Sequence, residues 1–121
     1  MEIIDSYSRA EAIEDGILVD VSQLAQKAGY RCPVTMTRTL WEDVSYLHLG
    51  AGQTQEGWLI SLLNAGYWMA RNHPDEPQVH YRMVLPFKER HPKLSLYTIK
   101  MVMGSGDFGE AVITLMRPNE D

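Results

Sequence analysis

Gln78-Val79-His80-Tyr81-Arg82-Met83-Val84-Leu85 sets Val79, Tyr81, Met83 and Leu85 at every second position, with mostly polar residues between them. A period of two marks a strand that buries one face. The preceding stretch has a different rhythm. Leu59, Leu62, Leu63, Gly66, Met69 and Ala70 recur at helical spacing, with Trp58, Ile60, Tyr67 and Trp68 adding bulk almost all round. Thr54 or Gln55 opens this helix, which runs to about Asn72 and is closed by Pro74. The change from helical to strand period across Pro74 therefore decides the fold class.

Toward the C-terminus, residues 94–103 alternate as a long strand, with Leu94, Leu96, Thr98, Lys100 and Val102 on one face. Residues 111–117 form a further strand. The loop Gly104-Ser105-Gly106-Asp107-Phe108-Gly109 joins them as a hairpin, and residues 87–93 join the first two strands. Three consecutive strands with short connections predict an antiparallel meander packed on the long helix.

Toward the N-terminus the segments are shorter. Ser8-Arg9-Ala10-Glu11 has capping-box form, and Gly16 suits a helix C-terminus. Ile17-Leu18-Val19 is a short strand or an extended connector. Asp20-Val21-Ser22-Gln23 opens about two turns that end before Gly29, and a third helix starts near Thr37 or Thr39. Gly66 and Ala70, one turn apart on the long helix, let another element approach its backbone. The expected architecture is α+β: N-terminal helices and one long central helix packed on a C-terminal three-stranded antiparallel meander. With no repeat or linker, residues 1–121 read as a single domain.

Composition narrows the function classes. Hydrophobic residues make up 45% and charged residues 22%, the balance of an ordinary globular chain. The apolar run 58–70 is too short and too mixed to span a bilayer, so no membrane is expected. The opening Met1-Glu2-Ile3-Ile4-Asp5 has acids where a signal peptide needs a basic region, which predicts a cytoplasmic protein. The net charge of −5 argues against direct nucleic-acid binding. That charge is uneven: residues 1–56 carry four basic and nine acidic side chains, whereas residues 71–101 carry six basic and three acidic. An acidic surface with one basic ledge follows.

No catalytic, cofactor or metal site is expected. Gly104 to Gly109 contains the spacing of a dinucleotide fingerprint, but a strand rather than a helix follows it, so it reads as a turn. His48, His73, His80 and His91 lack ligand spacing, and Cys32 is the single cysteine. Glu14-Asp15 and Glu42-Asp43 are adjacent on helices, where their side chains diverge. Two charge clusters remain as candidate interaction surfaces: Glu11, Glu14 and Asp15 in the acidic half, and Lys88, Arg90 and Lys93 in the basic loop. Arg82 and Lys100 flank that loop on the adjoining strands. Trp41, Trp58 and Trp68 read mainly as core.

The run from Ile3 to Gly16 (IIDSYSRAEAIEDG), followed by Leu18-Val19-Asp20-Val21-Ser22, resembles a family of small bacterial proteins often carried on phages, plasmids and other mobile elements. The likeness continues through Pro33-Val34, Thr37-Arg38, Trp41-Glu42-Asp43 and the hairpin at Gly106-Asp107. The family has no assigned activity, so the resemblance implies a genetic setting and no catalytic residue. It implies a non-enzymatic interaction protein whose partner is a protein or a protein–nucleic acid complex, in the narrowest form an inhibitor of a host defence complex. A small-ligand or nucleotide-binding module using the basic loop 88–93 is the alternative.

Overall fold

In the residues that the computed structural model describes, 7–87 and 94–120, the chain forms four helices and five strands. In order these are α1 (Arg9–Glu14), β1 (Leu18–Asp20), α2 (Ser22–Lys27), β2 (Val34–Thr37), α3 (Arg38–Val44), α4 (Gln55–Asn72), β3 (Gln78–Pro86), β4 (Leu94–Ser105) and β5 (Ala111–Met116). Local chemistry sets most of the boundaries. Ser8 and Glu11 form the capping box of α1, and Gly16 follows with φ +79°. The Thr54 hydroxyl accepts from the Gly57 N–H to open α4. At α3 the cap is Thr37, which accepts from the Leu40 N–H; Thr39 binds elsewhere.

The five strands make one mixed sheet in the order β1-β2-β5-β4-β3. This corrects the three-stranded meander. β3, β4 and β5 do pair antiparallel in sequence, but β2 lies parallel to β5, and β1 extends the sheet antiparallel to β2. Val34, Thr35 and Met36 are buried on both faces of β2, so they show no alternation to betray a strand. The chain reaches the parallel pairing only by crossing α3, α4 and two further strands, which leaves no local signal.

The sheet has two unequal faces. On the main one, registered neighbours Val19, Met36, Leu115, Met101 and Val79 form a row across all five strands. They join α2, α3 and α4 in one apolar cluster that includes Ala25, Leu40, Val44, Leu59, Leu62 and Leu63. At Gly66 one tyrosine from the α2–β2 connection and one from β3 reach the backbone of α4. The Tyr30 hydroxyl donates to the Leu63 carbonyl at 2.6 Å and the Tyr81 hydroxyl to the Leu62 carbonyl at 2.8 Å. A Cβ at Gly66 would lie 2.9 Å from each hydroxyl and 2.6 Å from the Met101 methyl.

The opposite face is covered in part. Ala12, Val112 and Met116 are buried outside the main cluster. The Asp107 carboxylate ties the β4–β5 hairpin to α1 by accepting from the backbone N–H groups of Arg9 and Ala10. Lys100 is buried and donates to the Glu120 carbonyl, so it does not join an exposed basic ledge.

Glu120 docks the C-terminal turn. Its carboxylate accepts from the Thr37 and Thr39 hydroxyls and from the Arg117 N–H. Burial pushes this carboxyl up, but those donors and the Arg117 charge outweigh it and hold it below its usual range. The sign follows: a depressed folded-state value contributes stability above the unfolded carboxylate range, and this is lost as pH falls through the folded value. Glu120→Gln should therefore narrow the gap between unfolding midpoints measured at neutral and acidic pH. An unchanged gap would show that Glu120 does not carry that dependence.

Candidate functional site

β3 is the sheet's outer strand, and its backbone row decides which surface is open. The Met103 N–H bonds the Pro77 carbonyl, and the register then points Val79, Tyr81, Met83 and Leu85 toward β4. By the same alternation Gln78, His80, Arg82 and Val84 aim their N–H and C=O groups outward. Among the described residues, the outward row of β3 is bonded only at Pro86, whose carbonyl accepts from the His48 N–H. A Leu47–Phe87 bridge closes that same end. The edge is thus sealed beyond Val84 and open from Gln78 to Val84.

The side chains of the open row are all exposed: Gln78, His80, Arg82 and Val84. Arg82 brings positive charge and Val84 apolar surface, with no carboxylate in either β3 or β4. Val84 pairs across the strands with Leu96, and these two are 50% and 60% exposed. Leu96 also borders a groove of about 440 Å³ with Thr98, Tyr97, Asp43 and Arg117. Charge inside the groove is already matched. Arg117 grips Asp43 through two bonds of 2.8 and 2.9 Å, and the Tyr97 hydroxyl donates to the same carboxylate. Burial first, then Asp43, pushes the Tyr97 phenol well above its usual value, so it stays a neutral donor. The cluster pins α3 to the strand ends, which is a structural task.

The charged residues singled out from sequence separate sharply. Glu11 and Asp15 already accept hydrogen bonds within the chain, Glu11 in the α1 capping box and Asp15 from the Tyr7 hydroxyl at 2.7 Å. Glu14 is exposed beside them. Lys88, Arg90 and Lys93 lie outside the described residues. Of the cations placed on the flanking strands, Arg82 is exposed and Lys100 is buried. Trp58 and Trp41 are half-buried, whereas Trp68 is exposed. The open edge itself was not legible before the strand order was known, because any alternating strand could have been internal.

Among the described residues no group of three or more histidine, cysteine, aspartate or glutamate side chains could hold a metal ion. Nor is any described helix long and apolar enough to cross a membrane. No curated protein and no solved structure matches the chain. A family model matches residues 1–121 in full, and the chain belongs to that family, a family of unknown function (DUF6573).

Proposed function

We propose that this chain is a non-enzymatic protein-interaction module that takes an extended, acidic segment of a partner protein along the open edge of β3. The single observation that carries this is the unbonded outward row from Gln78 to Val84. An added strand would satisfy those groups with main-chain hydrogen bonds, while side-chain pockets supply selectivity. Natural sheets usually blunt such an edge, by shortness, proline or a covering element. Here β3 runs for nine residues, and among the described residues only its C-terminal end is covered. Arg82 selects for negative charge, and Lys88, Arg90 and Lys93 follow in the sequence. Glu11 and Asp15 are engaged within the chain, which moves the proposal from the acidic half to this edge. Inhibition of a host defence complex, in a mobile-element setting, is the narrower role that such a module would serve.

Two synthetic strands provide the test: a decapeptide of alternating glutamate and valine, and one of alternating lysine and valine. The acidic peptide should slow amide exchange at His80, Arg82 and Val84, and the basic peptide should not. Arg82→Pro removes one outward N–H at an edge position that tolerates proline, and should weaken capture about tenfold with the fold retained. Equal protection by both peptides, or by neither, overturns the reading. So does a chain that dimerises through β3 in sedimentation, because the edge would then belong to a second copy.

A further inference from the structure

A second site of different character lies where the α2–β2 connection meets the C-terminal half of α4. Tyr30, Cys32, Tyr67 and Ile113 wall a cleft of about 270 Å³, and Arg31 and Arg71 stand on its rim. Tyr67 meets Tyr30 edge-to-face at 5.6 Å, presenting a fixed aromatic wall. Tyr30 is held in turn by its bond to the Leu63 carbonyl. The rim is rigid on one side as well. The Arg71 guanidinium lies 5.7 Å from the Tyr67 ring centre and 5.6 Å from that of Trp68, and donates to the Tyr67 hydroxyl at 3.3 Å. Stacking leaves the planar donor fork of an arginine available to an oxyanion.

The charge balance at this cleft is unusual for a chain of net charge −5. The ion pairs among the described residues are Lys27–Glu56, Arg38–Glu42 and Arg117–Asp43. Among the described residues, neither Arg31 nor Arg71 has a carboxylate partner. A third arginine adds to the field. Among the described residues the buried Nε and Nη2 atoms of Arg9 have no hydrogen-bond partner, and the Arg9 charge is felt at the Cys32 thiol. Burial dominates there and raises the thiol above its usual value, so Cys32 is a slow nucleophile and serves the cleft as an apolar wall. Apolar walls, one aromatic face and unpaired guanidinium groups together specify the ligand: a ring to fill the cleft and an anion at its mouth.

We propose that this cleft binds a small aromatic carboxylate, its ring against Tyr67 and its carboxylate between Arg31 and Arg71. The same chemistry occurs in a free metabolite and at the end of a protein chain that finishes in an aromatic residue. This site does not rest on the β3 edge, and its test uses neither peptide strand.

Cys32 supplies the readout, because it is the single cysteine and lines the cleft. Phenylacetate should slow maleimide labelling of Cys32 in a saturable way and shift the amide resonances of Gly29 and Ile113. Phenylacetamide, equal in shape but neutral, should bind about tenfold more weakly, since a charge-assisted hydrogen bond is lost. Arg31→Gln with Arg71→Gln should erase the preference for the acid. Both residues are exposed, so the melting temperature should hold and labelling without ligand should persist. A tetrapeptide ending in phenylalanine with a free carboxylate separates the sources: tighter binding than phenylacetate assigns a chain terminus, and weaker binding a free metabolite. Equal affinity for the acid and the amide overturns the proposal, and so does no protection of Cys32 by any of the probes.

Discussion

Leu63→Ala is expected to lower the free energy of unfolding by about 2–5 kcal/mol, the usual range for truncating a buried leucine. Leu63 is fully buried within the main cluster, alongside Leu59 and Leu62 on α4. Its removal costs the transfer energy of the lost carbons and leaves a cavity that the sheet and α2 cannot readily close. Tyr30 worsens the loss, because its hydroxyl is bonded to the Leu63 carbonyl and resists any slide of the helix into the gap. Chemical denaturation at neutral pH measures the difference. A midpoint unchanged by the substitution would mean that this face of α4 does not carry the core.

Gly66→Ala is the second large effect, and its sign distinguishes two principles. On an open helix the substitution would stabilise by about 1 kcal/mol through propensity alone. Here the new methyl would meet the Met101 methyl and the hydroxyls of Tyr30 and Tyr81, all within 3 Å. Met101 can swing aside, but the tyrosines cannot move without breaking bonds to the Leu63 and Leu62 carbonyls. Overpacking and one unmade buried hydrogen bond each cost about 1–3 kcal/mol, so, set against the propensity gain, a net loss of about 1–5 kcal/mol is expected. Combining Gly66→Ala with Tyr81→Phe should cost less than the two changes summed, since the hydroxyl in the way is already gone. A stabilised Gly66→Ala variant would show that propensity wins and the close approach is soft.

Legibility in the sequence followed the kind of signal each element leaves. α4 carried a wide apolar stripe between Thr54 and Pro74, and its observed limits match. β3 buries Val79, Tyr81 and Leu85 on one face, so it alternated visibly. β2 gave no such pattern, because Val34, Thr35 and Met36 are buried whichever way they point. Its parallel partner β5 lies far along the chain, and pairing at that separation has no local trace. The sites split the same way. The charges of Glu11 and Asp15 were visible, but their engagement with Ser8 and Tyr7 depends on geometry. Arg31, Tyr67 and Arg71 form one cleft only after α2 and α4 have packed together.

The strand order also bears on how the molecule is made. β5, the last strand of the described chain, sits in the middle of the sheet, between β2 and β4. While a ribosome is still extending the polypeptide, β1–β2 and β3–β4 can each form as hairpin-like fragments, but nothing joins them. Both inner edges, β2 and β4, then stand open until the final strand emerges and slots between them. Pairings across such long sequence separations form slowly, and unpaired edges invite association with other chains. A message cut short before residue 111 would therefore leave two adhesive half-sheets rather than a smaller stable protein.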